Sequence, residues 1–462
     1  MTMDDPLDAV LRPPPNETAE EAAFRLSREA EARRISASID ADIRAERLLL
    51  RKKRIVRLLL LGQSESGKST TLRQFQRIYT PTAFREERVL WRAVIQLNIV
   101  RSVLTILDAL DNNDGGYLSD GPTSDLDLAD DDSEDYESRF AHTPAPALDT
   151  LRRTLLPPLR HIETLLIARL VPKGEKEATR LGAGVDDHEI FVRPGNRWKA
   201  GKSKSPVREE ADAAQQTLHS FAPAMQALWT DPAVRAVLKR RKIRLEEGPG
   251  FFLNDLARVT AVGYLPADDD VLRARLKTVG ASEYTFEMEV STGRETGTEW
   301  RIVDVGGSRS QRATWVPFFD DVDAIIFLAP IAGFDQVLSE DKSVNRLEDS
   351  VLLWKALCSN KMLASVDLVL FLNKCDILAK KLQSGVKLAR YVRSYKEREN
   401  SFEAVSSYLR TKFSAIHREH SPNPRKFYAF CTSVTDTTTT GGIIASVRDM
   451  VVREHLKQSK LL

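Results

Sequence analysis

The spacing of apolar residues divides the chain into strand-like and helix-like segments. The alternating stretch 284–290 and the apolar stretch 299–305, joined by STGRETGT, predict a β-hairpin. Four further apolar runs have the length of buried strands: 54–62, 322–329, 366–372 and 426–431. Helical segments separate the last three, which is typical of parallel strands. These patterns predict an α/β fold with a six-stranded, mostly parallel sheet flanked by helices.

A helical block interrupts this pattern. Leucines, isoleucines and valines at helical spacing predict a long helix over 85–111, and helical spacing resumes over 211–260. We therefore predict an inserted all-α domain over 81–269. The α/β domain would then be built from 54–80 and 270–462.

Four segments are expected to lie outside these two cores. Residues 1–18 are predicted to be a disordered tail. Residues 19–53 are rich in Glu, Ala, Arg and Leu and contain no Pro or Gly, which favours one long charged helix that is either solvated or a docking surface for another protein. Within the helical domain, an acidic insert at about 108–145 and a basic insert at about 172–210 are predicted to be disordered.

Composition narrows the class of protein. Among 462 residues, 42% are hydrophobic, and 68 Lys+Arg against 66 Asp+Glu give a net charge of +2. This balance excludes a strongly basic nucleic-acid binder as the default, so we expect no nucleic-acid partner. No uncharged apolar run approaches the ~18 residues of a membrane span. With Thr2 in place of glycine and no cysteine before Cys358, we expect no N-terminal acyl group, and we expect a soluble, intracellular protein.

A phosphate-binding motif follows the first predicted strand. The sequence GQSESGKST at 62–70 matches G-x-x-x-x-G-K-[ST] and precedes a helical segment, which is the context this motif requires. Its backbone N–H groups and the helix N-terminus favour phosphate oxygens, Lys68 would reach the β- and γ-phosphates, and the Ser69 hydroxyl would bind Mg²⁺. The nucleotide-binding residues expected here are Glu65, Ser66, Gly67, Lys68, Ser69 and Thr70.

Two later strand ends carry residues suited to guanine. In FLNKCD, Asn373 offers an amide to the O6/N7 edge, and Asp376 can accept from N1–H and the exocyclic amine, which adenine lacks. Lys374 can lay its aliphatic stem along the ring. In the next strand-end loop, the Val434 N–H could meet O6. Three such loops in order predict GTP and GDP as the bound nucleotides and exclude an ATPase.

These motifs, together with DVGG at 304–307, resemble the alpha subunit of heterotrimeric G proteins. Small Ras-like GTPases share the short motifs but lack the helical block, and they lack LWTDPAVRAVL, FFLNDLARV and DVLRARLKTVG. The resemblance implies a Ras-like GTPase domain with an inserted helical domain. It also implies a transducer that couples a receptor to effectors and hydrolyses GTP to GDP with Mg²⁺.

The resemblance assigns roles to the switch residues. The segment 270–278 is similar to the first switch, in which Leu272 and Arg273 are expected to contact the nucleotide. Arg275 matches the arginine finger supplied in cis, worth roughly 10³–10⁵ in kcat. Thr278 matches a second hydroxyl on Mg²⁺.

The second switch matches the family from Asp304 to Gly307 and departs from it at Ser308. Asp304 matches the carboxylate that holds Mg²⁺ through water, and Gly306 and Gly307 match the hinge whose backbone N–H meets the γ-phosphate. The family then has a glutamine that orients the attacking water, whereas this chain has Ser308, which is too short to do so. We therefore predict hydrolysis slower than roughly 10⁻² s⁻¹ with GTP binding retained. Gln311, one helical turn further on, is not expected to compensate because of its reach.

The resemblance also implies partners. A G-protein beta–gamma dimer would bind the N-terminal helix and the second switch, where Trp315 follows Arg309 and Arg312. A G protein-coupled receptor would act on the C-terminal helix and tail from Asp436 to Leu462; a downstream effector and a regulator of G-protein signalling are further candidates. Membrane contact would be peripheral, through partners, which predicts a cytoplasmic location at the inner face of the plasma membrane.

The sequence leaves two hypotheses of function open. The first is an alpha subunit with slow hydrolysis. The second is a GTP-loaded signalling scaffold with negligible hydrolysis, which Ser308 and the missing lipid sites favour, whereas the intact Arg275, Thr278 and Asp304 oppose it. Smaller departures are Ser64 in GQSES, where the familiar form is GAGES, and Ser459 in the tail KQSKLL, which predicts no ADP-ribosylation there.

Overall fold

A computed structural model of the chain describes residues 17–52, 54–111, 146–170, 206–278, 280–287 and 298–458. The predicted disordered tail lies outside these residues up to residue 16. So do 112–145 and 171–205, which cover most of the two predicted inserts, and the last four residues of the C-terminal tail.

A single six-stranded sheet organises the α/β domain. Its strands are β1 (Arg54–Leu61), β2 (Ala281–Glu287), β3 (Thr298–Val305), β4 (Ala324–Pro330), β5 (Asp367–Asn373) and β6 (Phe427–Thr432). They lie in the order β2-β3-β1-β4-β5-β6, and all neighbours are parallel except β2 and β3, which form the predicted hairpin. The predicted α/β fold is confirmed. Most of the hairpin connection STGRETGT lies outside the described residues.

Helices cover both faces of the sheet. The helices outside the inserted domain, together with α9 at the domain junction, are α1 (Ala19–Lys52), α2 (Lys68–Tyr79), α9 (Asp268–Arg273), α10 (Arg346–Ser359), α11 (Cys375–Gln383), α12 (Phe402–His420) and α13 (Thr437–Gln458). Alternate residues of β1 point to opposite faces: Leu59 and Leu61 pack in the core beneath α10 and α12, and Leu58 and Leu60 pack in the core beneath α2 and α13. Burial on both faces explains why β1 reads as a continuous apolar run.

The inserted domain is helical throughout its described elements. It contains α3 (Pro81–Glu86), α4 (Arg88–Asp111), α5 (Pro146–Leu170), α6 (Pro206–Thr230), α7 (Pro232–Arg240) and the short α8 (Leu256–Val259). Helix α4 is the centre of this domain and packs against α5, α6 and α7. By length and composition α4 could cross a membrane, but 72% of its apolar window is buried inside the domain, which accounts for its hydrophobicity.

Several predicted boundaries were wrong. The single helix predicted over 85–111 is two helices, because Glu87 ends α3 through its N–H to the Ala83 carbonyl and starts α4 by accepting from Leu90 and Trp91. The helical stretch predicted over 211–260 is interrupted at Asp231, whose side chain caps α7. After Arg240 the chain runs through turns and 3-10 segments.

The predicted edges of the inserts and domains also shift. Helix α4 continues through 108–111 and α6 begins at Pro206, so these two edges of the predicted inserts are helical. Helix α9 crosses the predicted domain boundary at 270. Because α9 contacts both α2 and α4, it belongs to the junction between the two domains.

The N-terminal helix is described over Ala19–Lys52. Thr18 and Glu21 form a reciprocal capping box: the Thr18 Oγ1 accepts from the Glu21 N–H at 3.3 Å, and the Glu21 carboxylate accepts from the Thr18 N–H at 3.0 Å. This explains where the helix begins.

Trp354 is the largest fully buried side chain of the core beneath α10 and α12. It is fully buried against Phe327 and Phe413, and its indole N–H donates to the Phe413 carbonyl at 2.9 Å. We expect Trp354→Ala to lower the free energy of unfolding by about 3–5 kcal/mol, measured by denaturant unfolding followed by circular dichroism. Leu352→Ala, on the exposed face of the same helix, is the control and should change it by less than about 0.5 kcal/mol. Equal effects would contradict the assigned core.

Candidate functional site

A cavity of about 710 Å³ opens at the carboxyl edge of the sheet, between the α/β domain and the helical domain. This size is within the range of small-molecule sites, and the carboxyl edge is where open α/β sheets bind ligands. Residues from six segments line it: 64–70, 246–251, 272–278, 307–308, 373–374 and 433–435. The structure thus brings the predicted loops to one place.

The loop between β1 and α2 has the geometry of a phosphate cradle. Gly67 has φ +103°, and a Cβ there would overlap the amide nitrogen of Asn373, so only glycine fits. The Lys68 Nζ donates to the Gly62 and Gln63 carbonyl oxygens, at 2.8 Å each. Burial lowers the pKa of Lys68 to about 8. A desolvated cation held over the loop can gain strongly from phosphate oxygens.

Glu65 holds the predicted arginine finger. Its carboxylate pairs with Arg275 at 2.9 Å and with Arg346 at 3.3 Å. Burial alone would raise the pKa of Glu65, but the charges of Arg275, Arg346 and Lys374 outweigh it and hold the pKa at about 2. In this conformation Arg275 is therefore committed to a carboxylate, and it must leave Glu65 to act on a phosphoryl group.

Three oxygen-bearing side chains meet beside Lys68. The Ser69 hydroxyl lies 2.5 Å from Asp304 Oδ2 and 2.8 Å from the Thr278 hydroxyl, which itself lies 3.2 Å from Asp304 Oδ2. Asp304 is 2% exposed, burial raises its pKa, and its Oδ1 has no hydrogen-bond partner among the described residues. A buried carboxylate oxygen without a partner is costly, and carboxylate and hydroxyl oxygens suit Mg²⁺. These residues therefore fit a magnesium ion.

The first switch is tied to the phosphate loop by a residue that the sequence reasoning missed. Arg73 of α2 is buried and donates to the carbonyl oxygens of Val271 and Ala274, the latter at 2.8 Å. Leu272 is buried beneath this contact, and Arg273 donates to the Phe251 carbonyl of the helical domain at 2.9 Å. The sequence signal that could have predicted these contacts is the presence of an arginine on the buried side of α2.

The second switch lies directly on the phosphate loop. An ideal Cβ on Gly307 would be 2.5 Å from the Lys68 Nζ and would overlap the backbone of Gln63, so the approach requires glycine. Ser308 follows in extended backbone and precedes the 3-10 helix Arg309–Phe318. The side-chain oxygen of Gln311 lies against Gly306, and the expectation that Gln311 does not compensate for Ser308 stays a prediction.

Trp315 also differs from its predicted role as a partner contact. It is 4% exposed, and its indole N–H donates to the Gly306 carbonyl at 2.8 Å. In this conformation Trp315 is part of the core and is not available to a partner. The neighbouring Val316 is half exposed instead.

The guanine-recognition residues are together, but Asn373, Val434 and Asp376 are already engaged in hydrogen bonds. The Asn373 Nδ2 donates to the Ser66 carbonyl at 2.7 Å, and its Oδ1 accepts from the Val434 N–H at 3.2 Å. Asn373 thus ties the phosphate loop to the last strand-end loop, and the Val434 N–H must leave Oδ1 before it can reach O6. Asp376 accepts from the Ser433 hydroxyl at 2.8 Å, and burial lowers the pKa of Lys374 to about 8.

Gln63 is a second residue that the sequence reasoning passed over. Ser64 is the smaller departure in this loop, whereas Gln63 is fully buried: its Nε2 donates to the Arg346 carbonyl at 2.7 Å and contacts the Ser350 hydroxyl. Arg346 in turn donates to the Ser64 carbonyl at 2.9 Å. These contacts fasten the phosphate loop to the start of α10, and a buried glutamine in a tight loop was the only sequence signal.

Asp376 gives a test of base recognition. Replacing its carboxylate by an amide substitutes a donor for an acceptor, so Asp376→Asn should lose affinity for GDP and gain affinity for xanthosine diphosphate, whose C2 carbonyl accepts. We expect the preference to shift by roughly a hundredfold or more, as about 1–3 kcal/mol is lost for one base and gained for the other. Competition binding with labelled nucleotide measures it, with Asp367→Asn at the start of β5 as the control. An unchanged GDP preference would contradict the assigned base site.

Comparison with known proteins agrees with this geometry. The family model described as "G-protein alpha subunit" matches residues 33–451. The chain is 30% identical to the guanine nucleotide-binding protein alpha-4 subunit of Mycosarcoma maydis, over 99% of this chain and 96% of that protein. It is also 30% identical to the alpha-2 subunit of Neurospora crassa, over 93% and 96%, and 28% identical to the alpha-7 subunit of Caenorhabditis elegans, over 93% and 97%. The chain belongs to the family of G-protein alpha subunits.

Proposed function

We propose that this chain is the guanine-nucleotide-binding alpha subunit of a heterotrimeric G protein, a switch that binds GTP and hydrolyses it slowly to GDP. The observation that carries the proposal is the meeting of the phosphate loop, both switches and both base loops in one cavity. Family membership supports GTPase activity.

The site residues divide the nucleotide among them. The phosphate loop and Lys68 bind the β- and γ-phosphates, and Asn373, Lys374, Asp376 and the Val434 loop surround the base. Ser69, Thr278 and Asp304 are the residues that would hold Mg²⁺. When bound, Mg²⁺ neutralises charge that develops on the phosphates.

The γ-phosphate changes the shape of the second switch through Gly307. In the described conformation Gly307 lies so close to Lys68 that a phosphate between them requires the backbone to move. Movement of this segment shifts Gly306, whose carbonyl accepts from Trp315. Loss of the γ-phosphate would let the contact form again, so the surface around 306–318 reports which nucleotide is bound.

Hydrolysis requires two rearrangements. Arg275 has to exchange Glu65 for the phosphoryl oxygens, where its charge is most useful in the transition state. The attacking water also has to be oriented, and Ser308 cannot do this as the family's glutamine does. Slow turnover is therefore expected, and the absence of turnover would leave the alternative of a GTP-loaded scaffold.

A beta–gamma dimer is the proposed partner of the N-terminal helix. Ile35, Ile39 and Ile43 follow each other at four-residue spacing and are 50%, 53% and 40% exposed. Residues four apart lie on one helix face, so they form an apolar stripe on an otherwise charged helix. Such a stripe suits a protein partner, which favours the hypothesis that this helix is a docking surface.

A receptor is proposed to act through α13. The Thr440 hydroxyl donates to the Ser433 carbonyl, and Gln74 of α2 donates to the Val434 carbonyl, both at 2.9 Å. A pull on α13 would therefore disturb the loop that closes the base site and promote GDP release. Effectors, and a regulator of G-protein signalling, would bind the GTP-loaded form. We place the protein in the cytoplasm, at the inner face of the plasma membrane through its partners.

Ser308→Gln tests the predicted slow hydrolysis. Restoring a carboxamide at this position should raise the single-turnover rate of GTP hydrolysis by roughly tenfold or more, since a positioned hydrogen-bonding group contributes about 10²–10⁴. Affinity for a non-hydrolysable GTP analogue should stay the same. Ser310→Gln, on the exposed neighbour, is the control, and an unchanged or lower rate in Ser308→Gln would refute the idea.

Ile39→Asp tests the docking stripe. A charge in the centre of the stripe should weaken binding of a purified beta–gamma dimer to the GDP-loaded chain by roughly tenfold, because desolvating the carboxylate opposes the contact. Surface plasmon resonance or pull-down with GDP measures it. Ala37→Asp, about 200° away around the helix, adds the same charge on another face and should leave binding unchanged; equal losses in both variants would count against the stripe.

A further inference from the structure

Gln311 is folded back along the second switch. Its N–H donates to the Ser308 carbonyl oxygen at 3.0 Å, at the start of the 3-10 helix Arg309–Phe318. This turn brings the backbone of Gln311 close to that of Ser308. The Gln311 side chain then turns back toward Gly306.

The end of this side chain reaches the centre of the switch. An ideal Cβ on Gly306 would overlap the Gln311 Oε1 and would lie 3.1 Å from the Thr278 carbonyl oxygen. Two acceptor oxygens, one from each switch, thus meet at Gly306. The Thr278 hydroxyl on the same residue contacts Asp304, so this point borders the predicted magnesium site.

Such a pair of acceptors suits a water molecule that attacks phosphorus. The water oxygen forms a bond to the γ-phosphorus while the bond from that phosphorus to the bridging oxygen breaks; GDP leaves with the electron pair, and the water proton ends on inorganic phosphate. A water that donates both hydrogens to fixed acceptors has a lone pair left to direct at phosphorus. A serine hydroxyl at position 308 offers one short group for this task.

We infer that Gln311 orients the attacking water in this chain, together with the Thr278 carbonyl, in place of the glutamine that the family has at position 308. The inference rests on the proposed GTPase function. It also explains the slow hydrolysis, because Gln311 would reach the attacking water from a different backbone position than the glutamine of the family does.

Other polar groups near the switch are less suited to this role. The Glu65 carboxylate is engaged by Arg275 and Arg346. Ser310 is exposed, and its hydroxyl lies 3.4 Å from that of Ser308. The Gln311 carboxamide both reaches Gly306 and can accept and donate.

A double-mutant cycle tests the inference. Gln311→Met keeps the length of the side chain and removes its hydrogen bonding, so the single-turnover rate of GTP hydrolysis should fall by roughly tenfold or more. Affinity for a non-hydrolysable GTP analogue and the tryptophan fluorescence change on its binding should stay within about twofold, which a merely structural role would not preserve. In the Ser308→Gln background, Gln311→Met should change the rate by less than about twofold, because the orienting group has moved.

Ala313→Met is the matched control, since it places the same side chain on the exposed face of the same 3-10 helix. Hydrolysis at the wild-type rate in Gln311→Met, or an equal loss in both backgrounds, would overturn the assignment of Gln311 and leave the GTPase proposal intact. Wild-type protein that binds GTP but never hydrolyses it would overturn the assignment and favour the scaffold. Failure of wild-type protein to bind GTP would overturn both proposals.

Discussion

Lys68 and Asp304 are both buried at the carboxyl edge of the sheet, 6% and 2% exposed, and opposite charges so placed need partners. In this conformation Lys68 donates to two backbone carbonyls, which carry no formal charge, and Asp304 keeps one oxygen without a hydrogen-bond partner among the described residues. A triphosphate and a divalent cation would complete both. The arrangement of the rest of the site follows from this need for charged partners, because both switches lie next to Lys68 and Asp304.

Ion pairs between the helical domain and the α/β domain also hold the cavity closed. Lys381 of α11 is 2.6 Å from both Asp335 and Glu247, and Arg244 also contacts Asp335. Glu247 and Arg244 lie in the helical domain, and Lys381 follows the guanine loop in the α/β domain. Lys381 and Asp335 are buried, whereas Glu247 and Arg244 are partly exposed. Separating the domains would leave the buried pair without these two partners, so the ion pairs oppose opening of the cavity.

The contiguous parts of the site could be predicted from the sequence, and the long-range parts could not. GQSESGKST and FLNKCD carry their own chemistry, and the apolar strands before them fixed their place at one edge of the sheet. Nothing in the local sequence pairs Glu65 with Arg275, or Gln63 with the start of α10, because these contacts depend on how distant segments pack. The roles of the switch residues came from family resemblance, since Arg275 alone reads as a surface charge.

Position 308 shows where resemblance is a poor guide to geometry. The resemblance shows a serine where the family has glutamine, but it does not show which neighbouring side chains lie nearby. The structure adds that the Gln311 N–H donates to the Ser308 carbonyl where the 3-10 helix begins, and that the Gln311 side-chain oxygen lies against Gly306. A chain can thus lose a side chain at one position and regain its chemistry three residues later. Such an exchange favours a switch that stays loaded for longer, because the replacement approaches the water from a different backbone position.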